Sequence, residues 1–179
     1  MADVLTPSQR HRNMAAIHPS STKPELRMRS ALWHLGFRYR VNVKSLSGKP
    51  DIVLPRYRTV VFIHGCFWHG HKDCKFASIP KTNTDFWTAK ITRNQERDQE
   101  VWRLLESKGW YVIIVWECQL KKAVLDETIN RVAAEIVKNG ERYSNSQIER
   151  RAAREMYRKE RREQHARSAI LMREIKDMQ

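Results

Sequence analysis

Cysteine is scarce in this chain, three among 179 residues, and the number is odd. That argues against a disulfide framework and leaves the thiols as metal ligands in a reducing compartment. Acidic residues are also in deficit: 20 Asp and Glu stand against 34 Lys and Arg, a formal charge of +14. Folding needs no such excess. It implies a polyanionic partner, because each neutralised phosphate releases condensed counterions. A merely basic soluble or ribosomal-type protein would share the charge, but six Trp in so basic a chain also suit stacking on bases. No stretch approaches the roughly 20 apolar residues of a membrane span, and Met1-Ala2-Asp3-Val4 begins no signal-peptide core. A cytoplasmic protein without membrane contact is expected, and no internal repeat is present.

Residues 1–20 read as an extended basic arm with Arg10, His11 and Arg12, lacking a sustained apolar period. A domain over 21–140 follows. Its first helix is expected from Ser21 or Thr22 to Gly36, turning Leu26, Leu32 and Trp33 inward, with a capping box from Thr22 to Glu25. Phe37–Val43, Asp51–Leu54 and Thr59–Ile63 read as strands of one sheet, the last fully apolar and central. Thr84 can cap a long helix through Trp87, Ile91, Val101, Leu104 and Leu105, closed by Lys108-Gly109. Trp110–Trp116 reads as a further central-type strand, and Asp126–Lys138 as a helix ending at Asn139-Gly140. Residues 141–179 carry many charges and few large apolars, as a helical extension or basic tail would.

The chemistry concentrates in His64-Gly65-Cys66-Phe67-Trp68-His69-Gly70-His71-Lys72-Asp73-Cys74. Cys66, His71, Cys74 and the distant Cys118 have spacings that permit a closed tetrahedral Zn²⁺ site, which would staple two strand ends together. His64 and His69 lie near enough in sequence to take the place of His71. Histidines outside the metal site are open to acid and base roles or to second-sphere hydrogen bonding. Asp51, twelve residues before Ile63-His64, can meet the Ile63 carbonyl at one end of a sheet, the hairpin geometry by which nucleases hold Mg²⁺; it can equally cap a turn after Pro50. Phe67 and Trp68 on an outward loop suit insertion between base pairs, although Phe and Trp are more often core. Glu25 fits capping and site support equally, and Asp98 reads by default as solvated helix surface.

Taken together these residues resemble the very short patch repair (Vsr) endonucleases, bacterial enzymes that nick DNA beside a thymine mispaired with guanine. The likeness runs through Arg12-Asn13-Met14, Thr22 to Glu25, Gly48-Lys49-Pro50-Asp51, Phe62 to His69, Pro80 to Trp87, Asn94 with Glu96-Arg97-Asp98, and Val115-Trp116-Glu117-Cys118. It implies an α/β fold with a restriction-endonuclease-like core, a central mixed sheet flanked by helices. By position it implies that Asp51 and the Ile63 carbonyl hold Mg²⁺, that His69 is the general base, and that Glu25 and His64 support the site. Cys66, His71, Cys74 and Cys118 would be the structural zinc ligands; Phe67, Trp68, Phe86 and Trp87 would supply the intercalating wedge, and the arm would clasp DNA. The expected partner is double-stranded DNA with a T:G mismatch, met by a monomer in the bacterial nucleoid, with the mismatch-repair machinery as a further contact. A restriction-type enzyme indifferent to mismatch, or a zinc-stapled accessory protein without catalysis, would share many of these features. Past about residue 120 the resemblance assigns nothing.

Overall fold

The computed structural model describes Thr6, Ser8, Gln9, Arg12 and residues 21–177, for 163 and 165–177 the backbone alone. The DNA-clasping arm expected over 1–20 therefore lies outside the described residues, apart from those four. The chain divides into two compact units, Met1–Gly140 and Glu141–Gln179. No helix among the described residues is long and apolar enough to cross a membrane.

The first helix, α1, spans Lys23–His34 behind an N-cap at Thr22, whose side chain accepts from the Glu25 amide. Pro24 suits this first turn, where its missing N–H is no loss. The inward face differs from the expectation. Glu25, Met28 and Leu32 are buried, whereas Leu26 and Trp33 are each 51% exposed. Glu25 can be turned inward because Arg29 neutralises it at 2.9 Å. Trp33 is instead covered by Arg38, whose guanidinium carbon lies 4.0 Å from the ring centroid.

Strand β1 (Ile52–Leu54) pairs antiparallel with β2 (Thr59–His64), and β2 pairs in parallel with β3 (Tyr111–Trp116), so β2 is the middle of a small mixed sheet. Phe37–Val43 does not form the expected strand. Only Arg40 bridges to Val53, and the positive φ of Asn42 turns the backbone away from further pairing. β3 lies on the outside of the three-stranded order, with Ile113 and Val115 buried and their neighbours half-exposed.

The two faces of β2 feed two cores, as a period of two dictates. Val61 joins Met28, Leu32, Ile52, Ile113, Val132 and Ile136, while Val60 and Phe62 join Val53 and Leu105. Leu105 belongs to α2 (Thr84–Ser107), which crosses from β2 to β3. Asn83, not Thr84, is its N-cap; the Thr84 hydroxyl donates back to the Pro80 and Lys81 carbonyls, and Leu104 faces solvent. The last helix, α3, spans Leu125–Asp177 and runs through Asn139-Gly140. That glycine is no helix stop: a Cβ there would lie 2.6 Å from Cδ1 of Tyr57, so it permits a close approach.

The observed face of α1 sets an expectation for stability. Leu32→Ala should lose about 2–5 kcal/mol, whereas Leu26→Ala should stay within about 0.5 kcal/mol, both read by denaturant unfolding. Equal losses would contradict the orientation described.

Candidate active site

Asp51 sits directly before β1, where the antiparallel register brings it beside β2. Its Oδ2 accepts from the Ile63 amide at 2.7 Å. Burial pushes the Asp51 carboxyl up to about 6; the Ile63 hydrogen bond opposes this, the nearby Glu25 adds to it, and Arg29 and His69 oppose it further. Glu25 reaches this point because the α1 cap holds it, with the Ser21 amide and Thr22 hydroxyl each donating to it at 2.9 Å. Arg29 joins the two, its Nη2 donating to Glu25 Oε2 at 2.9 Å and to the Asp51 carbonyl at 3.1 Å. The cap and the site are thus one structure.

Asp51, Glu25, Ile63, His64, His69 and Asp98 line a single cavity of about 490 Å³. His69 donates from Nδ1 to Asp98 Oδ2, which leaves Nε2 as the acceptor of its ring. Burial alone would raise the Asp98 carboxyl, but the hydrogen bond and charge of His69, with His64 and Arg97, hold it below its ordinary value. His64 stacks on His69, ring centroids 3.8 Å apart at 18°, and lies against Trp102 on α2. Its Nδ1 is buried without a hydrogen-bond partner among the described residues, 4.0 Å from Asp98. Burial, helped by His69 and opposed by Asp98, pushes the His64 imidazole down to about 4. It is therefore neutral at physiological pH.

The His/Cys loop leaves β2 and folds back on itself. Its carbonyls are held by α2, since Asn94 donates to Trp68 O at 2.9 Å and Gln95 to His69 O and Gly70 O at 3.3 and 3.2 Å. On its other side Cys66, His71, Cys74 and Cys118 place one ligand atom each within 4.8 Å of the others. His71 Nδ1 lies 3.5 Å from Cys66 Sγ and 3.4 Å from Cys118 Sγ, with its ring stacked on Trp116 at 4.1 Å. His69 and His64 face the other way, toward Asp98. Burial pushes the Cys66 thiol up to about 12 and raises that of Cys118, while the Phe76 amide lowers that of Cys74. Three sulfurs and an imidazole nitrogen are the donor set of a closed zinc site, and a cation would relieve the cost of ionising the buried Cys66 thiol. The half-buried Asp51 beside the buried Glu25 likewise suits a hard cation.

Phe67, Trp68 and Trp87 form one half-buried aromatic group, with centroids 5.1 to 6.1 Å apart, and Phe86 beside Trp87 is 61% exposed. All the site residues expected from the sequence thus gather around one loop. Sequence reasoning missed Arg29 and the partnership of Asp98. The signal for Asp98 was its place seven residues from both Ile91 and Leu105, the buried row of α2.

A family model described as DNA mismatch endonuclease Vsr matches residues 2–75. The type II nicking enzyme V.NmeAIP of Neisseria meningitidis is 55% identical over 137 residues, covering 76% of this chain and 97% of that protein. The chain belongs to the Vsr family of endonucleases. The DNA mismatch endonuclease Vsr of Escherichia coli K12 is 46% identical over 121 residues, 68% of this chain and 77% of that relative. V.XorIIP of Xanthomonas oryzae is 44% identical over 120 residues, 67% and 88% of the two chains.

The Asp51 shift has a consequence for stability. The unfolded chain ionises this carboxyl near 3.8 and the folded chain near 6, so the unfolded state releases its proton first and stability falls as pH rises through that window. Asp51→Asn removes the penalty. In chelator its melting temperature should exceed the parent's at neutral pH, with the gap closing as pH falls below about 4. Equal melting at neutral pH would contradict the burial cost.

Proposed function

We propose that the chain is a Mg²⁺-dependent endonuclease that nicks duplex DNA on the 5′ side of the mispaired thymine in a T:G mismatch. The observation that carries the reading is the shared cavity of Asp51 and the His69–Asp98 pair, a carboxylate and an oriented base opening onto one space. The Asp51 carboxylate and the Ile63 carbonyl would hold Mg²⁺. When bound, that ion supplies positive charge against the scissile phosphate and the leaving oxygen.

The chain's own groups do the rest. His69 takes a proton from the attacking water at Nε2, and Asp98 fixes the tautomer and stabilises the imidazolium that forms. His64, kept neutral by burial, adds no competing positive charge behind His69 and holds its ring by stacking. Glu25 and Arg29 keep the Asp51 backbone in place. Phe67, Trp68, Phe86 and Trp87 form the wedge, which enters where a mismatch makes unstacking cheap. Cys66, His71, Cys74 and Cys118 would hold Zn²⁺ and so anchor the loop that carries His69. The sheet with Asp51 at the β1 entrance is read as a reduced restriction-endonuclease-like core.

The test compares a T:G duplex with its C:G counterpart, each with Mg²⁺ and then with EDTA. A metal-dependent nick confined to the mispaired thymine strand is expected. Cutting of both duplexes would replace the mismatch reading with a restriction-type one, and binding without cutting would leave an accessory protein.

Variants should separate the roles. His69→Ala should slow single-turnover nicking by about 10²–10⁴, and Asp98→Ala by about 10–100-fold, since it acts through His69. A larger loss for Asp98 than for His69 would contradict that order. Cys118→Ala should lose zinc and melt earlier, whereas Asp51→Ala should keep zinc and lose nicking, as read by metal analysis beside thermal unfolding.

A further inference from the structure

The site residues named above all precede Glu141, and in the unit from Glu141 onward six arginines share one side of the helix, with Arg142 and Lys159 off it. At 3.6 residues per turn, Arg150, Arg151, Arg154, Arg158, Arg161 and Arg162 fall within about 120° of the helix circumference. Glu149, Glu155 and Glu160 lie outside that sector, and all these side chains are exposed. Arg150, Arg154, Arg158 and Arg162 continue a single row at four-residue spacing, where like charges repel. Arg151 reaches Glu155 at 3.1 Å, but both are well exposed and that pair relieves little of the row. A solvated helix gains nothing from such sorting, since mixed signs along one face would stabilise it better.

An anionic partner removes the repulsion. Six guanidinium groups on one face present paired donors, which match phosphate oxygens better than ammonium groups would. From Arg150 to Arg162 the helix rises about 18 Å, the length of roughly five base-pair steps along one strand. A membrane surface fits less well, because the side opposite the arginines carries Glu149 and Glu160 around Met156 in place of an apolar face. We propose that this arginine face is a second DNA-binding surface that grips the phosphate backbone without reading sequence. The proposal rests on duplex DNA being the substrate of the nicking site.

The test uses the full chain with Arg150→Gln, Arg154→Gln, Arg158→Gln and Arg161→Gln combined, beside a control with Glu149→Gln and Glu160→Gln. Glutamine keeps helix propensity, and circular dichroism checks that the helix remains. Binding to long matched and T:G duplexes is titrated between about 50 and 200 mM salt. The arginine variant should bind both duplexes more weakly by a similar factor, and its log K against log salt slope should shrink by about one per arginine in contact. The control should keep the parent's slope. Parent-like slope and affinity in the arginine variant would overturn the inference. So would an unchanged slope with altered sedimentation of the free protein, which would make the face a contact between copies. A shrunken slope in a chain that nicks no T:G duplex would keep this inference and remove the nicking assignment, so the two fail separately.

Discussion

The arrangement depends on one loop being held from both sides. Between β2 and α2 the chain must present His69 to a cavity and aromatics to the outside, and a loop with two glycines and few apolar anchors does not do this by itself. Cys66, His71 and Cys74 gather against Cys118, which follows β3, so the parallel β2–β3 pairing and the sulfur–imidazole cluster enforce one another. Register matters here. His64 opposite Trp116 is the last pair of the ladder, and a slip by one residue would turn His64 to the wrong face and carry Cys66 away from Cys118.

The second hold comes from α2, and it explains why a charged residue is buried there. Ile91 and Leu105 pack inward, and Asp98 midway between them meets His69 in place of a core side chain. Asn94 and Gln95, on the neighbouring row, bind loop carbonyls that would otherwise lack donors. One helix face thus closes the core and orients the histidine. The cost shows in His64, whose buried Nδ1 has no hydrogen bond among the described residues, and in Asp51, whose carboxyl is pushed toward neutrality. Shifted titrations of this kind cluster at functional sites.

What the sequence made legible was local. The Thr22–Glu25 cap, the β2 run and the His/Cys loop each depend on neighbours within a few residues. The choice among His64, His69 and His71 stayed open there, because spacing does not say which way a ring turns; Trp116 stacking on His71 and Asp98 reaching His69 separate them in space. The misreadings have tertiary causes. Asn139-Gly140 has the form of a helix stop, but its glycine is there to admit the Tyr57 ring. Glu25 is buried while Leu26 and Trp33 are exposed, because Arg29 and Arg38 change what each position costs. Asp98 resembled surface since a pattern of residue types does not show the partner across the cavity.

Under the proposed function, three thiolates and one imidazole close a metal site that holds the loop carrying His69. Zinc-edge X-ray absorption on the purified full chain tests it most directly. One zinc per chain is expected, with a shell of three sulfurs at about 2.3 Å and one nitrogen, unchanged when His69 is replaced by Ala. A shell dominated by oxygen and nitrogen, or one that loses its nitrogen in the His69 variant, would contradict it.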